Sequence, residues 1–98
     1  MVTVSNLNTM SGKSRVTFEL QAGQGRLVYI AGSFNDWDPE KLIMVYHGDI
    51  QGYIFELQLH SGNYEYKFIV DGEWVTDLDN TNFSANDFGT LNSVLNIG

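Results

Sequence analysis

Two tryptophans each follow a polar turn, Trp37 in GSFNDW at 32–37 and Trp74 in DGEW at 71–74. Lys67 stands inside the run YEYKFIV at 64–70, and NDFGTLN at 86–92 supplies Phe88, Thr90 and Asn92. The inventory suits a sugar. A pyranose ring has apolar C–H faces that lie flat on an indole and a rim of hydroxyls that both donate and accept. Tryptophan offers the platform, lysine three donors, and asparagine a donor group beside an acceptor. Taken singly, each residue has a plainer reading. Either tryptophan fits a core, Lys67 a solvated strand lysine, Phe88 a plug that holds its loop down, and Asn92 a turn. Binding requires that the set converge.

Signals for catalysis are weak by comparison. His47 and His60 lie beside turns, with no nucleophile in a recognisable context, and GxSxG, HExxH, P-loop and EF-hand patterns are absent from the sequence. Asp36, Asp38, Asp71, Asp77 and Asp79 could pair as carboxylates for glycoside hydrolysis, but turn formation explains each with less effort. The expectation is a non-catalytic protein with no catalytic residues, no cofactor and no metal site.

Composition narrows the partners. Twelve acidic residues against five basic ones give a formal charge of −7, which repels phosphates and disfavours nucleic acid and anionic lipid. A neutral ligand is indifferent to that charge. Without cysteine, neither disulfides nor thiolate zinc can hold the fold. No apolar run nears a membrane span, and the first residues lack the basic start and apolar stretch of a signal peptide. The expected location is cytoplasmic, with no membrane partner. Aromatic residues form 13% of the chain, more than a core of this size requires.

Period-2 alternation supplies the elements that must position these residues. In 15–20, Val16, Phe18 and Leu20 share a face. The pattern resumes at 27–31, at a short stretch over 43–47, at 53–59, and at 63–70, where Tyr64, Tyr66, Phe68 and Val70 alternate with Glu65, Lys67 and Ile69. If Tyr66 and Phe68 face the core, Lys67 projects from the opposite face. Asp71-Gly72 makes a tight turn into 73–75, and a long polar loop over 76–92 precedes a last strand at 93–97. Loops of that length in compact domains are often functional. No segment has a helical period. About seven short antiparallel strands predict an all-β sandwich, organised as a flexible N-terminal tail over 1–13 and a single module over 14–98.

GSFNDW, YEYKFIVDGEW and NDFGTLNSV, in that order, resemble the glycogen-binding domain of AMP-activated protein kinase β subunits. More broadly they are similar to carbohydrate-binding module family 48, which also precedes isoamylase and branching-enzyme catalytic domains. The resemblance runs from about Val16 to Ile97. It implies an immunoglobulin-like sandwich of the early-set type that binds α-1,4-glucans: glycogen, starch, malto-oligosaccharides or cyclodextrins. Carried over by motif, Trp37 and Trp74 are the stacking platforms, Lys67 the hydroxyl-binding cation, and Thr90 and Asn92 polar contacts of the loop. The kinase-type domain has a leucine where this chain has Phe88, whose flatter, bulkier ring bears on the fit to tightly curved ligands. The family often has proline where His60 and Leu78 stand here, at no expected contact. The alternative function is a docking module that regulates or targets a partner, a kinase or an enzyme of glycogen metabolism.

Overall fold

The computed structural model describes residues 1–8 and 12–98. Its strands are β1 (Val2–Asn8), β2 (Lys13–Gln21), β3 (Val28–Gly32), β4 (Leu42–Ile43), β5 (Val45–His47), β6 (Gly52–His60), β7 (Gly62–Val70), β8 (Glu73–Val75), β9 (Phe83–Ala85) and β10 (Leu91–Ile97). They form two antiparallel sheets. One has the order β1-β2-β6-β5; the other runs β4-β3-β7-β10-β9, with β8 also paired to β7. The expected all-β sandwich is observed, and among the described residues no helix is long and apolar enough to cross a membrane.

Alternation decides which side chains the sheets bury. Val16 and Phe18 of β2, Tyr53 of β6, Val28 and Ile30 of β3, Tyr66 and Phe68 of β7, and Leu95 and Ile97 of β10 make the core with Met44. Burying each such side chain contributes about 1.5–3 kcal/mol. Aromatic edges interlock at the centre: Phe18 meets Tyr66 at a centroid distance of 4.9 Å and 68°, and Tyr66 meets Phe68 at 5.9 Å and 70°. Such pairs add about 0.5–1.5 kcal/mol beyond area alone.

Three expectations need correction. The tail expected over 1–13 contains a strand, since Val2, Thr3, Val4 and Ser5 pair with Phe18, Thr17, Val16 and Arg15; residues 9–11 of that span lie outside the described residues. A strand with so few large apolar residues is legible only once its partner is known. The single stretch expected over 43–47 is two strands in different sheets, because Met44 turns into the core between exposed Ile43 and Val45. The loop over 76–92 is not structureless either, for β9 pairs Ala85, Ser84 and Phe83 with Leu91, Asn92 and Ser93. These account for ten strands among the described residues where about seven were expected.

A buried polar knot holds the start of that loop. The Tyr66 hydroxyl donates to Asp77 Oδ2 at 2.7 Å and accepts from Asn80 Nδ2 at 3.1 Å, while Asn80 Nδ2 also reaches the carbonyl of Val94. The Asp77 N–H donates to Ser93 Oγ, and Asp77 Oδ1 accepts from the Asp79 N–H and stands 3.1 Å from the Met1 amino group. Asp77 and Ser93 are fully enclosed, and every buried side-chain polar atom among the described residues has a partner.

Burial pushes the Tyr66 phenol well above the ordinary tyrosine range. The Asn80 hydrogen bond opposes this, the hydrogen bond to Asp77 and that residue's charge push the same way as burial, and the bond with Ser93 is the smallest opposing effect. In the unfolded chain this phenol ionises near pH ~10. Its contribution to stability is therefore complete below that pH. It is lost as pH rises further, because the unfolded chain releases a proton that the folded chain keeps. Urea midpoints taken between pH 8 and 11 should fall with pH, Tyr66 contributing up to about 1.4 kcal/mol at the alkaline end. Tyr66→Phe lowers the midpoint at every pH but should show a shallower alkaline fall; an equal fall in both proteins disproves the assignment.

Candidate functional site

The six-stranded sheet turns its outer face toward a groove of about 760 Å3. Trp37, Lys67, Trp74, Phe88, Thr90 and Asn92, the six residues singled out in the sequence, all border it. Ser33, Glu65, Ala85, Asn86 and Asp87 complete its wall.

Trp74 arrives by a two-residue hairpin. Asp71 and Gly72 take φ of 50° and 85°, the left-handed pair that a tight β-hairpin requires and that Asp-Gly supplies at little cost. The register then sets Trp74 opposite Ile69, on the outer face with Lys67. Asp71 also pins the turn to the segment before β3. Its Oδ1 accepts from the Leu27 N–H, its Oδ2 pairs with Arg26 at 3.0 Å, and its own N–H donates to the Leu27 carbonyl. Trp74 is 46% exposed and outside the core cluster.

Trp37 arrives by a more constrained route. Asn35 spans its turn, accepting from the Gly32 N–H through Oδ1 and donating to the Asp38 carbonyl through Nδ2. The Gly32 carbonyl accepts from the N–H groups of Asn35 and Trp37 at 3.1 and 3.0 Å. Asp36 and Trp37 themselves take φ of 56° and 58°, unusual for residues with a side chain and especially for a bulky one. Phe34, inside the same turn, points the other way and packs on Phe18 at 5.6 Å. The outcome is an indole 6.4 Å from that of Trp74, the two ring planes inclined by 44°. Neither tryptophan is a core residue.

Lys67 leaves the outer face of β7, as the alternation predicts, yet it is only 6% exposed. Its ammonium donates to Thr90 Oγ1 at 3.0 Å, and among the described residues it has no carboxylate partner. Thr90 Oγ1 also accepts from Asn86 Nδ2 at 2.7 Å, which leaves the hydroxyl hydrogen to donate elsewhere. Asn86 organises the loop from within: its Oδ1 accepts from the N–H groups of Phe88 and Thr90, and its Nδ2 also reaches Asn92 Oδ1 at 2.9 Å. Asn92 in turn donates to Glu65 Oε1 at 3.1 Å. Asn92 is thus a nearly buried strand residue of β10 rather than a turn former. Phe88 is no plug, because at the loop tip beside left-handed Gly89 its side chain is 90% exposed.

The residues missed in the sequence were those defined by partners. Glu65 stands two before Lys67 on the same face, and period 2 alone could have nominated it. Asn86 two residues before Phe88 has the spacing of a side chain that closes its own turn. Ser33 and Ala85 carry no sequence signal.

Residues 14–98 match the family described as the glycogen recognition site of AMP-activated protein kinase. The chain is 31% identical over 87 residues to the pig 5'-AMP-activated protein kinase subunit beta-1, covering 89% of this chain and 67% of that one. It is 34% identical over 73 residues to the human subunit beta-2, covering 74% of this chain and 25% of the relative. With the human subunit beta-1 it shares 31% over 85 residues, 87% of this chain and 30% of that subunit. The chain therefore spans only part of these relatives, and it belongs to the glycogen recognition domain family of AMP-activated protein kinase.

Proposed function

We propose that this chain binds α-1,4-linked glucans without acting on them. The inclination of two indoles on one groove carries the reading. Successive sugars of an α-1,4 chain turn relative to one another, so the chain curves and presents inclined ring faces. A β-1,4 chain is an extended ribbon whose faces want coplanar platforms. Trp37 and Trp74, tilted by 44°, suit the curved chain. Lys67, Thr90 and Asn92 form the polar side of the groove, with unused donors and acceptors for sugar hydroxyls. Phe88 extends the apolar contact from the loop tip. Stacked aromatic faces beside a few placed polar groups are the usual make-up of a small-ligand site.

Affinity is modest, because a shallow groove must offset the ordering of a flexible ligand. The expected dissociation constant is ~10 μM to 1 mM. A second reading rests on the relatives, which are named as kinase subunits. It casts the domain as a docking module for a kinase or an enzyme of glycogen metabolism, and glycogen co-sedimentation separates the two. Pelleting with the polymer supports glucan binding, and its absence supports docking.

Calorimetric titration should show binding of maltoheptaose or β-cyclodextrin and no binding of a cellulose-derived oligosaccharide of similar length. Equal affinity for α- and β-linked chains would sink the ligand assignment. Because the ligand is neutral, titrations at low and high salt should agree closely.

Trp37→Ala and Trp74→Ala should each weaken maltoheptaose binding by more than about tenfold while leaving the melting temperature within a few degrees. Unfolding by either change would place that indole in the core instead.

Asn86→Ala removes the acceptor that closes the 86–90 loop. Affinity should drop roughly three- to tenfold, with faster hydrogen exchange at the amides of Phe88 and Thr90. Unchanged exchange at both amides would show that the loop does not depend on Asn86.

A further inference from the structure

Glu65 is a carboxylate on the groove to which the sugar contacts above give no part. It shares the outer face of β7 with Lys67, two residues away, and both border the same groove. Its backbone is fixed on both sides by Ser33, whose Oγ accepts from the Glu65 N–H at 3.1 Å and whose N–H donates to the Glu65 carbonyl at 2.9 Å. The side chain accepts one hydrogen bond, from Asn92 Nδ2, through Oε1. It makes no ion pair with any cation among the described residues, so its carboxylate and the Lys67 ammonium stand more than 4.0 Å apart.

A carboxylate only accepts and an ammonium only donates. Here each has one partner and spare capacity, and they flank one groove without neutralising each other. Adjacent hydroxyls of a sugar ring match that arrangement, since one oxygen can accept from Lys67 while the other hydroxyl donates to Glu65. Hydrogen bonds to an ionised acceptor are roughly twice as strong as neutral ones. The same charge has a second consequence. With Asp87 also on the groove, its lining holds two carboxylates to one ammonium, within a chain of formal charge −7. An anionic substituent on the ligand meets a negative field there.

We propose that Glu65 is a specificity-determining residue of the groove: its carboxylate accepts a hydrogen bond from a sugar hydroxyl and turns away α-glucans that carry anionic groups such as phosphate monoesters. This inference rests on the glucan-binding reading above. The competing role for Glu65 is to hold Asn92 in place and nothing more.

Calorimetry with the intact chain distinguishes them, using maltoheptaose and a maltoheptaose bearing one 6-phosphate as probes. The wild-type chain should bind the neutral probe about tenfold more tightly than the phosphorylated one at low salt, and the gap should shrink as salt rises. Glu65→Gln keeps the shape and an acceptor for Asn92. It should weaken neutral binding roughly three- to tenfold and bring the ratio between probes toward one. Asn92→Ala should weaken both probes yet preserve the ratio, because the carboxylate remains. Wild-type affinity for the neutral probe in Glu65→Gln overturns the hydroxyl contact, and an unchanged ratio overturns the discrimination. Collapse of the ratio in Asn92→Ala as well would reduce Glu65 to a support for Asn92. If the wild-type chain binds neither probe, the glucan-binding reading itself fails and this inference fails with it.

Discussion

A lysine ammonium almost enclosed on a sheet face, with no carboxylate to pair with, is the constraint around which the site is built. Desolvating a charge is costly unless hydrogen bonds replace the lost water. Lys67 stands where one edge of β7 passes from its pairing with β10, over residues 62–66, to its pairing with β8, over 68–70. The backbone around it is occupied by the sheet, so compensation must come from side chains or from whatever fills the groove. Thr90 supplies one partner, held in an 86–90 loop that Asn86 closes through both its side chain and its backbone. The remaining ammonium hydrogens border the groove, where the sugar hydroxyls of the proposed function would be their acceptors.

The loop is held by neighbouring residues of one strand that point in opposite directions. Tyr66, facing inward, anchors the early part of the 76–92 segment through Asp77 and Asn80. Lys67, facing outward, meets its far end at Thr90. A segment long enough to be mobile is thereby ordered before any ligand arrives, which lowers the entropy lost on binding. The turn that carries Trp37 shows the converse cost. Two consecutive residues with side chains sit in the left-handed region, each at about 1 kcal/mol or more, and Asn35 offsets part of this by bonding at both ends of the turn. Strain of this kind persists where a side chain must be aimed, and here the side chain aimed is a groove indole.

Much of this was legible in the sequence because it follows from period and turn chemistry. Alternation in 63–70 separates Tyr66 and Phe68 from Lys67 without any knowledge of partners, and Asp71-Gly72 announces the hairpin that delivers Trp74. What escaped depends on pairing. Val2–Asn8 has too little apolar character to declare itself until β2 lies beside it, and β9 is three residues long. Leu42–Ile43 and Val45–His47 look continuous in sequence, but the chain crosses from one sheet to the other at Met44. Local pattern could have nominated Glu65 and Asn86, but their partners Asn92 and Thr90, at sequence distances of 27, 4 and 6 residues, are seen only in the folded chain.

Core and groove meet at Gly32, and there the sequence has no freedom. A Cβ on this residue would stand within 2.7 Å of the Phe34 ring and collide with the Glu65 carbonyl. The ring belongs to the core-facing side of the Trp37 turn, and the carbonyl belongs to the strand that carries Lys67. A side chain at 32 would push the turn away from β7, and with it the indole, while unseating Phe34 from Phe18. The tryptophans themselves lie outside the core cluster. Their spacing and tilt, by contrast, depend on a glycine that never touches the groove. The geometry of the groove is thus a property of backbone contact between β3 and β7, to which its two indoles are only attached.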